Sequence, residues 1–148
     1  MMVEKYIGRQ LMPAVYTYHL DRWHLPIYLP MPPITAITEI QYVDTQGDTQ
    51  ILDPSQYQAD LTSSPPRLLP AFGTVWPWVR WLLNAVSITY SAGYADADSV
   101  PMPIKRAIMM LAGQWFETRE PVAMGTHTDL PYGISALLLP YRVPMVFP

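Results

Sequence analysis

The sequence contains no cysteine, which excludes disulfides and thiolate-bound metals and suits a reducing compartment. Charge is scarce as well: 14% of residues are Asp, Glu, Lys or Arg, against roughly a quarter in an ordinary soluble domain. Nine Lys and Arg against twelve Asp and Glu leave a net charge of −3, so there is no basic footprint for a nucleic-acid backbone. No stretch approaches the ~20 uninterrupted apolar residues of a membrane span. The first five residues lack the apolar region of a signal peptide, and the expectation is a soluble chain made inside the cell. Glycine-rich phosphate loops are missing too.

What is present is apolar bulk and proline. Half of the 148 residues are hydrophobic, and seventeen are proline. A chain of this length fits one domain, which buries roughly 70% of its unfolded surface. So greasy a composition implies surface covered by other subunits. The prolines are spread along the chain, where they mark turns and strand ends more than a polyproline linker.

The apolar pattern predicts an α+β chain. Residues 2–11 fit a short first helix ending near Gly8, marginal alone and in need of a packing partner. From Ala14 to Asp21, Tyr16, Tyr18 and Leu20 alternate with Thr17, His19 and Asp21, as in a half-buried strand. Pro26, Pro30, Pro32 and Pro33 then suggest a loop-like passage. Ile34 to Val43 and Thr49 to Leu52 read as a hairpin, with Gly47 free to take positive φ in its turn. Asp53 to Ser55 reads as a turn, Tyr57 to Leu61 as a strand, and Arg67 to Leu69 as a short segment. Val86, Ile88 and Tyr90, alternating with Ser87, Thr89 and Ser91, give the cleanest strand pattern. The middle of the chain is thus expected to form a mostly antiparallel sheet or barrel-like unit.

One clear amphipathic helix follows, expected over residues 101–118. Pro101 and Pro103 sit where a helix start tolerates proline. Ile104, Ala107, Ile108, Leu111, Ala112 and Trp115 fall at helical spacing and predict the face held to the domain. Met109, Met110 and Phe116 lie off that stripe and are expected to contact a neighbouring subunit. A short last helix is expected from Tyr132 to Leu139, then an extended tail. The single domain divides into a first helix (1–12), a β-rich insertion (13–95), the long helix (101–120) and the last helix with its tail (130–148).

Nothing in this pattern specifies catalysis. His19, Asp21 and His24 lie close together, but three such residues with no further cluster read as solvent-facing polar positions. His127 and Asp129 stand in a loop without a nameable partner. Glu117 and Glu120 flank Arg119 at a helix end, where charges face water. Ser135 lacks the second glycine and preceding strand of a nucleophile elbow. Trp76, Trp78 and Trp81 around Arg80 form an aromatic and cationic loop that fits a partner-facing or sheet-covering surface. It also leaves open an alternative function, a module binding carbohydrate or single-stranded nucleic acid. The proline-stiffened apolar tail, Arg142, Val143, Pro144, Met145, Val146, Phe147 and Pro148, packs either on its own domain or on a partner.

In order along the chain, Tyr6 to Leu11 (YIGRQL), Leu29 to Ile34 (LPMPPI), Ile40 to Tyr42 (IQY) and Leu52 to Tyr57 (LDPSQY) resemble segments of one family. So do Asn84 to Tyr94 (NAVSITYSAGY), Val100 to Lys105 (VPMPIK), Gly113 to Glu120 (GQWFETRE), Leu130 to Ile134 (LPYGI) and Leu138 to Val143 (LLPYRV). That family is the head–tail connector (adaptor, or head-completion) proteins of tailed bacteriophages, in the larger form with a β-rich insertion. The resemblance spans nearly the whole chain and rests on order and spacing. It departs at the front, where the family's first helix is longer than the five residues before Tyr6.

The resemblance implies a structural virion protein at the head–tail junction, made in the bacterial host cytoplasm, with no enzymatic activity and no cofactor or metal. Its partners would be copies of itself in a ring, commonly twelvefold, together with a portal protein and a stopper or tail-completion protein. DNA would pass through the lumen without specific recognition, and no membrane would be involved. The tail from Arg142 to Pro148 would reach into the portal.

Overall fold

The structure, a computed structural model, describes residues 2–117 and 131–144. It is α+β, with helices α1 (Met2–Ile7), α2 (Met102–Glu117) and α3 (Tyr132–Leu138) and seven strands between the first two helices. The strands are β1 (Ala14–Leu20), β2 (Ile27–Tyr28), β3 (Ile34–Val43), β4 (Thr49–Ile51), β5 (Tyr57–Asp60), β6 (Arg67–Pro70) and β7 (Val86–Ala92). They form two antiparallel sheets, one in the order β1-β7-β3-β4 and one in the order β2-β6-β5.

The first sheet follows from alternation. Val86, Ile88, Tyr90 and Ala92 of β7 are all buried, and their neighbours on the strand are not. Across the ladder they face Leu20, Tyr18, Tyr16 and Ala14 of β1, and Tyr42, Ile40, Ile37 and Ile34 of β3. A one-residue slip would turn the whole apolar set to solvent, so the pattern fixes the register. β3 keeps pace through two register shifts, between Ile34 and Ala36 and between Ile37 and Glu39, which bend the strand over the core. The second sheet covers the same core with Ile27 and Leu68, and Leu29 and Leu52 pack beside them. Tyr90 is fully buried, stacks on Tyr16 at 6.0 Å between ring centroids, and donates its hydroxyl to Pro30 O at 2.9 Å. Burial, reinforced by the Tyr16 and Tyr18 phenols, pushes the Tyr90 hydroxyl far above the ordinary tyrosine range, so it stays a donor.

An edge strand of the second sheet, β2, lies inside the proline-rich passage expected to be loop. Two residues carry no readable period, and the burial of Ile27 and Leu29 comes from the strands they meet later in the chain.

A separate helical core joins Val3 and Ile7 of α1, Leu11, Val100, Ile104, Ala107 and Leu111 of α2's approach and face, and Ile134 and Leu138 of α3. Ile108 packs against it half-buried. Gly8, at φ 66°, ends α1 as a left-handed cap, with its N–H on Glu4 O at 2.8 Å.

Trp115 departs from expectation. It shares the angular position of Leu111 but is 60% exposed, and Ala112 is exposed with it. The reason is length. α2 has 16 residues and runs roughly 24 Å, while the six-residue α1 and seven-residue α3 each run only about 10 Å. Burial along α2 ends at Leu111, so the last turns project past the helices that cover the first ones.

The two cores meet at Gly93. Its N–H donates to Pro33 O at 2.8 Å, and Tyr94 N–H to Leu11 O at 3.2 Å. At φ 111° the residue adopts a backbone that side chains disfavour. A Cβ there would lie 2.9 Å from Pro13 N and closer still to the Met12 carbonyl. Only glycine lets the end of β7 pass this close to the chain leaving α1.

Candidate functional site

Two tryptophans, from the loop after β1 and the loop after β6, build the first surface. Trp23 and Trp76 stack at 4.6 Å with their planes 10° apart. Each indole N–H donates to the opposite loop, Trp23 Nε1 to Pro77 O at 2.8 Å and Trp76 Nε1 to His24 O at 3.1 Å. Both indoles are half-buried, where the N–H still needs a partner, and here the exchange staples the two loops together. Asp21 adds a third tie by accepting the Asn84 N–H at 2.8 Å. Between Tyr18–His24 on one side and Val75–Leu83 on the other lies an open groove of about 1130 Å³.

The rim of that groove is apolar. Trp78 is 86% exposed and Trp81 97%, with Val75, Leu82 and Leu83 exposed beside them and Phe72 exposed earlier in the same loop. The aromatic loop foreseen from sequence therefore divides. Trp76 is a pillar of the groove floor, not a presented side chain. Arg80 lines the groove with the tryptophans and also ties to the β3–β4 turn: its backbone N–H donates to Val43 O at 3.0 Å and its guanidinium to Gln46 O at 3.5 Å. Gly47 leaves the room for it, since a Cβ there would sit 2.5 Å from Arg80 Nη1. Arg22 and Arg80 line the same groove, but among the described residues neither makes a cation–π contact with Trp78 or Trp81, which weakens the match to a base-stacking site.

α2 carries the second surface. Met109, Met110 and Phe116 are all exposed, as is Met102 at the start of the helix. Met102, Met109 and Phe116 are seven residues apart, so at 100° per residue they form one stripe, roughly opposite the buried Ile104, Ala107 and Leu111. Among the described residues, the helical core covers the Ile104, Ala107 and Leu111 side of α2 and leaves the stripe exposed.

The start of the tail packs on its own domain, one of the two outcomes left open by the sequence. Val143 N–H donates to Ile7 O at 2.8 Å, and Arg9 Nε donates to Tyr141 O at 2.7 Å. The Arg142 guanidinium lies 5.6 Å from the centre of the Tyr6 ring, a cation–π contact. Arg142 and Val143 thus pack on α1, and Pro144 is exposed. Met145, Val146, Phe147 and Pro148 lie outside the described residues. The available signal was Gly8, because an open helix end next to a small residue is a natural seat for a returning strand.

Catalytic geometry does not assemble among the described residues. Among the described residues no three His, Asp or Glu side chains are placed to hold a metal, and no polar or charged side chain is fully buried. Ser135 donates its hydroxyl to Tyr132 O at 2.9 Å within its own helix. Glu120, His127 and Asp129, and the side chain of Glu117, lie outside the described residues. The carboxylates held below their ordinary range are Asp44, Asp53, Asp60 and Asp96. Each accepts turn hydrogen bonds, led by Gln50, Ser55, Thr62 and Ser99 respectively. None lines the groove, so these shifts stabilise loops and do not mark an acid–base pair.

No protein-family model and no curated protein matches the chain. Solved structures do. The neck of a native GTA particle, computed with C12 symmetry, contains a chain similar at TM-score 0.76 and 23% identity, over 98% of this chain and 78% of that one. The neck of an empty GTA particle, computed with C6 symmetry, gives 0.74 and 25% over 98% and 73%. The virion of a native gene transfer agent particle gives 0.76 and 22% over the same shares. From α1 to the start of the tail, the chain has the fold of a chain from a gene transfer agent neck.

Proposed function

We propose that this chain is a structural neck protein of a tailed virion, whose copies form a ring beneath the portal, join the head to the tail and extend the DNA channel. The observation that carries the reading is the likeness in fold over 98% of the chain to necks computed with C12 and C6 symmetry. The molecule's chemistry supports it. Charge is sparse, and two apolar surfaces are exposed that a solitary domain would not benefit from presenting. A net charge of −3 suits a channel that lets DNA slide rather than one that grips it. A role without catalysis fits the satisfied, turn-forming carboxylates described above. No described helix is long and apolar enough to cross a membrane.

The test is to mix the protein with portal rings from the same genome and image the product. A second sample ends after Pro144, which keeps the Arg142 and Val143 contacts to α1 and removes the rest of the tail. The expected result is that the full chain caps portals and the shortened chain caps them poorly. Capping by both would relieve the tail of its anchoring role, and capping by neither would sink the connector reading.

The exposure of Trp78 and Trp81 at the groove favours a second reading, a surface that stacks on sugars or unpaired bases. Saturable quenching of tryptophan fluorescence by glycans or oligonucleotides, abolished by Trp81→Ala, would support it over a purely structural role.

A further inference from the structure

We infer that in the ring the exposed α2 stripe of each copy seats in the tryptophan-rimmed groove of the next copy. This rests on the ring reading above and goes further by naming the two surfaces that meet. In a closed ring of identical subunits each contact is head-to-tail, so every copy must offer two different surfaces. A patch that met its own equivalent would create a twofold contact and stop at a dimer. Among the described residues, the exposed large apolar side chains that run closest together in sequence are those from Phe72 to Leu83 and those of α2, where Met102, Met109 and Phe116 form the stripe; Met12, Val15, Leu25, Ile51, Tyr132 and Leu139 are exposed elsewhere. The loop and the stripe are complementary in kind. One is an open groove of about 1130 Å³ floored by stacked Trp23 and Trp76, and the other is a convex row of side chains. Methionine suits such a contact, because its flexible thioether fills irregular gaps and packs well on aromatic rings.

The experiment uses two full-length variants, Trp78→Glu/Trp81→Glu in the groove and Met109→Glu/Phe116→Glu on the stripe. All four positions are exposed, so circular dichroism and thermal melting should match the parent and rule out misfolding as the cause. Assembly is read by mass photometry, alone and on portal rings. Each variant alone is expected to assemble at least tenfold more weakly than the parent, as for loss of central interface anchors. Mixed in equal amounts, the two should form a one-to-one pair and nothing larger, because each supplies the surface the other lacks. Homodimers from the stripe variant alone would show that grooves meet grooves, and overturn the proposal. Parent-like rings from both variants would overturn it while leaving the ring reading intact. A parent chain that forms no ring even on portals would remove that reading and this inference together. A photo-crosslinker replacing Trp81 gives the direct check: an adduct to the 102–116 segment of another copy is expected, and an adduct only to the portal chain would overturn the assignment.

Discussion

The β core and the helical core are similar in size but are closed by different means. Every fully buried residue of the β core lies between Leu20 and Ala92, on strands that also satisfy one another's backbone groups. The helical core gathers three stretches, residues 3–11, 100–111 and 134–138. One of its ties, Arg9 to Tyr141, spans 132 residues. Helices of six and seven residues are too short to persist alone, so α1 and α3 form because the buried face of α2 receives them. Loop closure adds little to the cost, since its entropy grows only with the logarithm of length. The β unit therefore behaves as a self-contained insertion, and the helical core as a docking of both ends of the chain onto one long helix.

The place to break both cores at once is Gly93. Gly93→Ala places a Cβ against the Met12 carbonyl and Pro13 N at a left-handed φ, and should destabilise by about 3 kcal/mol or more in urea unfolding. Gly73→Ala is the control. It shares a positive φ, but its Cβ would meet nothing within 4 Å, so the cost should be only about 1 kcal/mol of backbone strain. Equal losses would mean that the close approach at Gly93 relaxes easily and does not join the cores.

Next in size are truncations inside each core. Ile88→Ala and Ile104→Ala each remove a fully buried side chain and should cost about 2–5 kcal/mol. Hydrogen exchange separates them. In Ile104→Ala, amides of α1 and α3 should lose protection while β7 keeps its own; simultaneous loss in β7 would make the two cores a single cooperative unit.

How much of this was legible in the sequence follows the same division. β7, β1 and β3 could be read because alternation survives wherever one sheet face is buried, and α2 because its period runs through four turns. β2 could not be read, since two residues in a proline-rich passage become a strand only by meeting β6. Trp115 was misplaced because a period reports direction around a helix and not how far the neighbouring helices extend. The Arg80 tie to Gln46 was unreadable for a related reason: that hydrogen bond crosses 34 residues and depends on Gly47 leaving room. The aromatic loop and the second apolar side of α2 were visible as residue types. The groove was not, because the Trp23–Trp76 stack that floors it joins loops 53 positions apart in the sequence numbering, roughly a third of the chain.

Acid should act more gently and favour the helical core. Asp44, Asp53 and Asp60 lie in the turns of the β unit, with carboxyls held below their ordinary value of 3.8. A carboxyl with a lowered folded pKa adds stability that is complete above its unfolded value and lost as pH falls through the folded one. Between neutral pH and about 4 stability should therefore be flat in these groups, and below 3.8 it should decline. Asp44→Asn should flatten part of that decline, as read by urea midpoints at each pH. Hairpin amides from Asp44 to Asp48 should lose exchange protection before those of Ile104 to Leu111. The reverse order would place the acid-sensitive contacts in the helical core.

The smallest effect expected is a gain. Gly113 sits inside α2 beyond the reach of α1 and α3, it is exposed, and an added Cβ would meet nothing within 4 Å. Glycine at such a position weakens a helix by roughly 0.5–1 kcal/mol relative to alanine, because the unfolded chain has more freedom to lose. Gly113→Ala should therefore raise the melting temperature of the isolated chain by about 2–4 °C. It should do so without changing the exchange behaviour of the β unit, whose core is a separate cluster. A loss of stability would mean that this face of α2 is already held closely by something in the free protein. The projecting half of the helix would then be no spare surface, and the contrast between a covered first half and an uncovered second half would fail at the point where assembly depends on it.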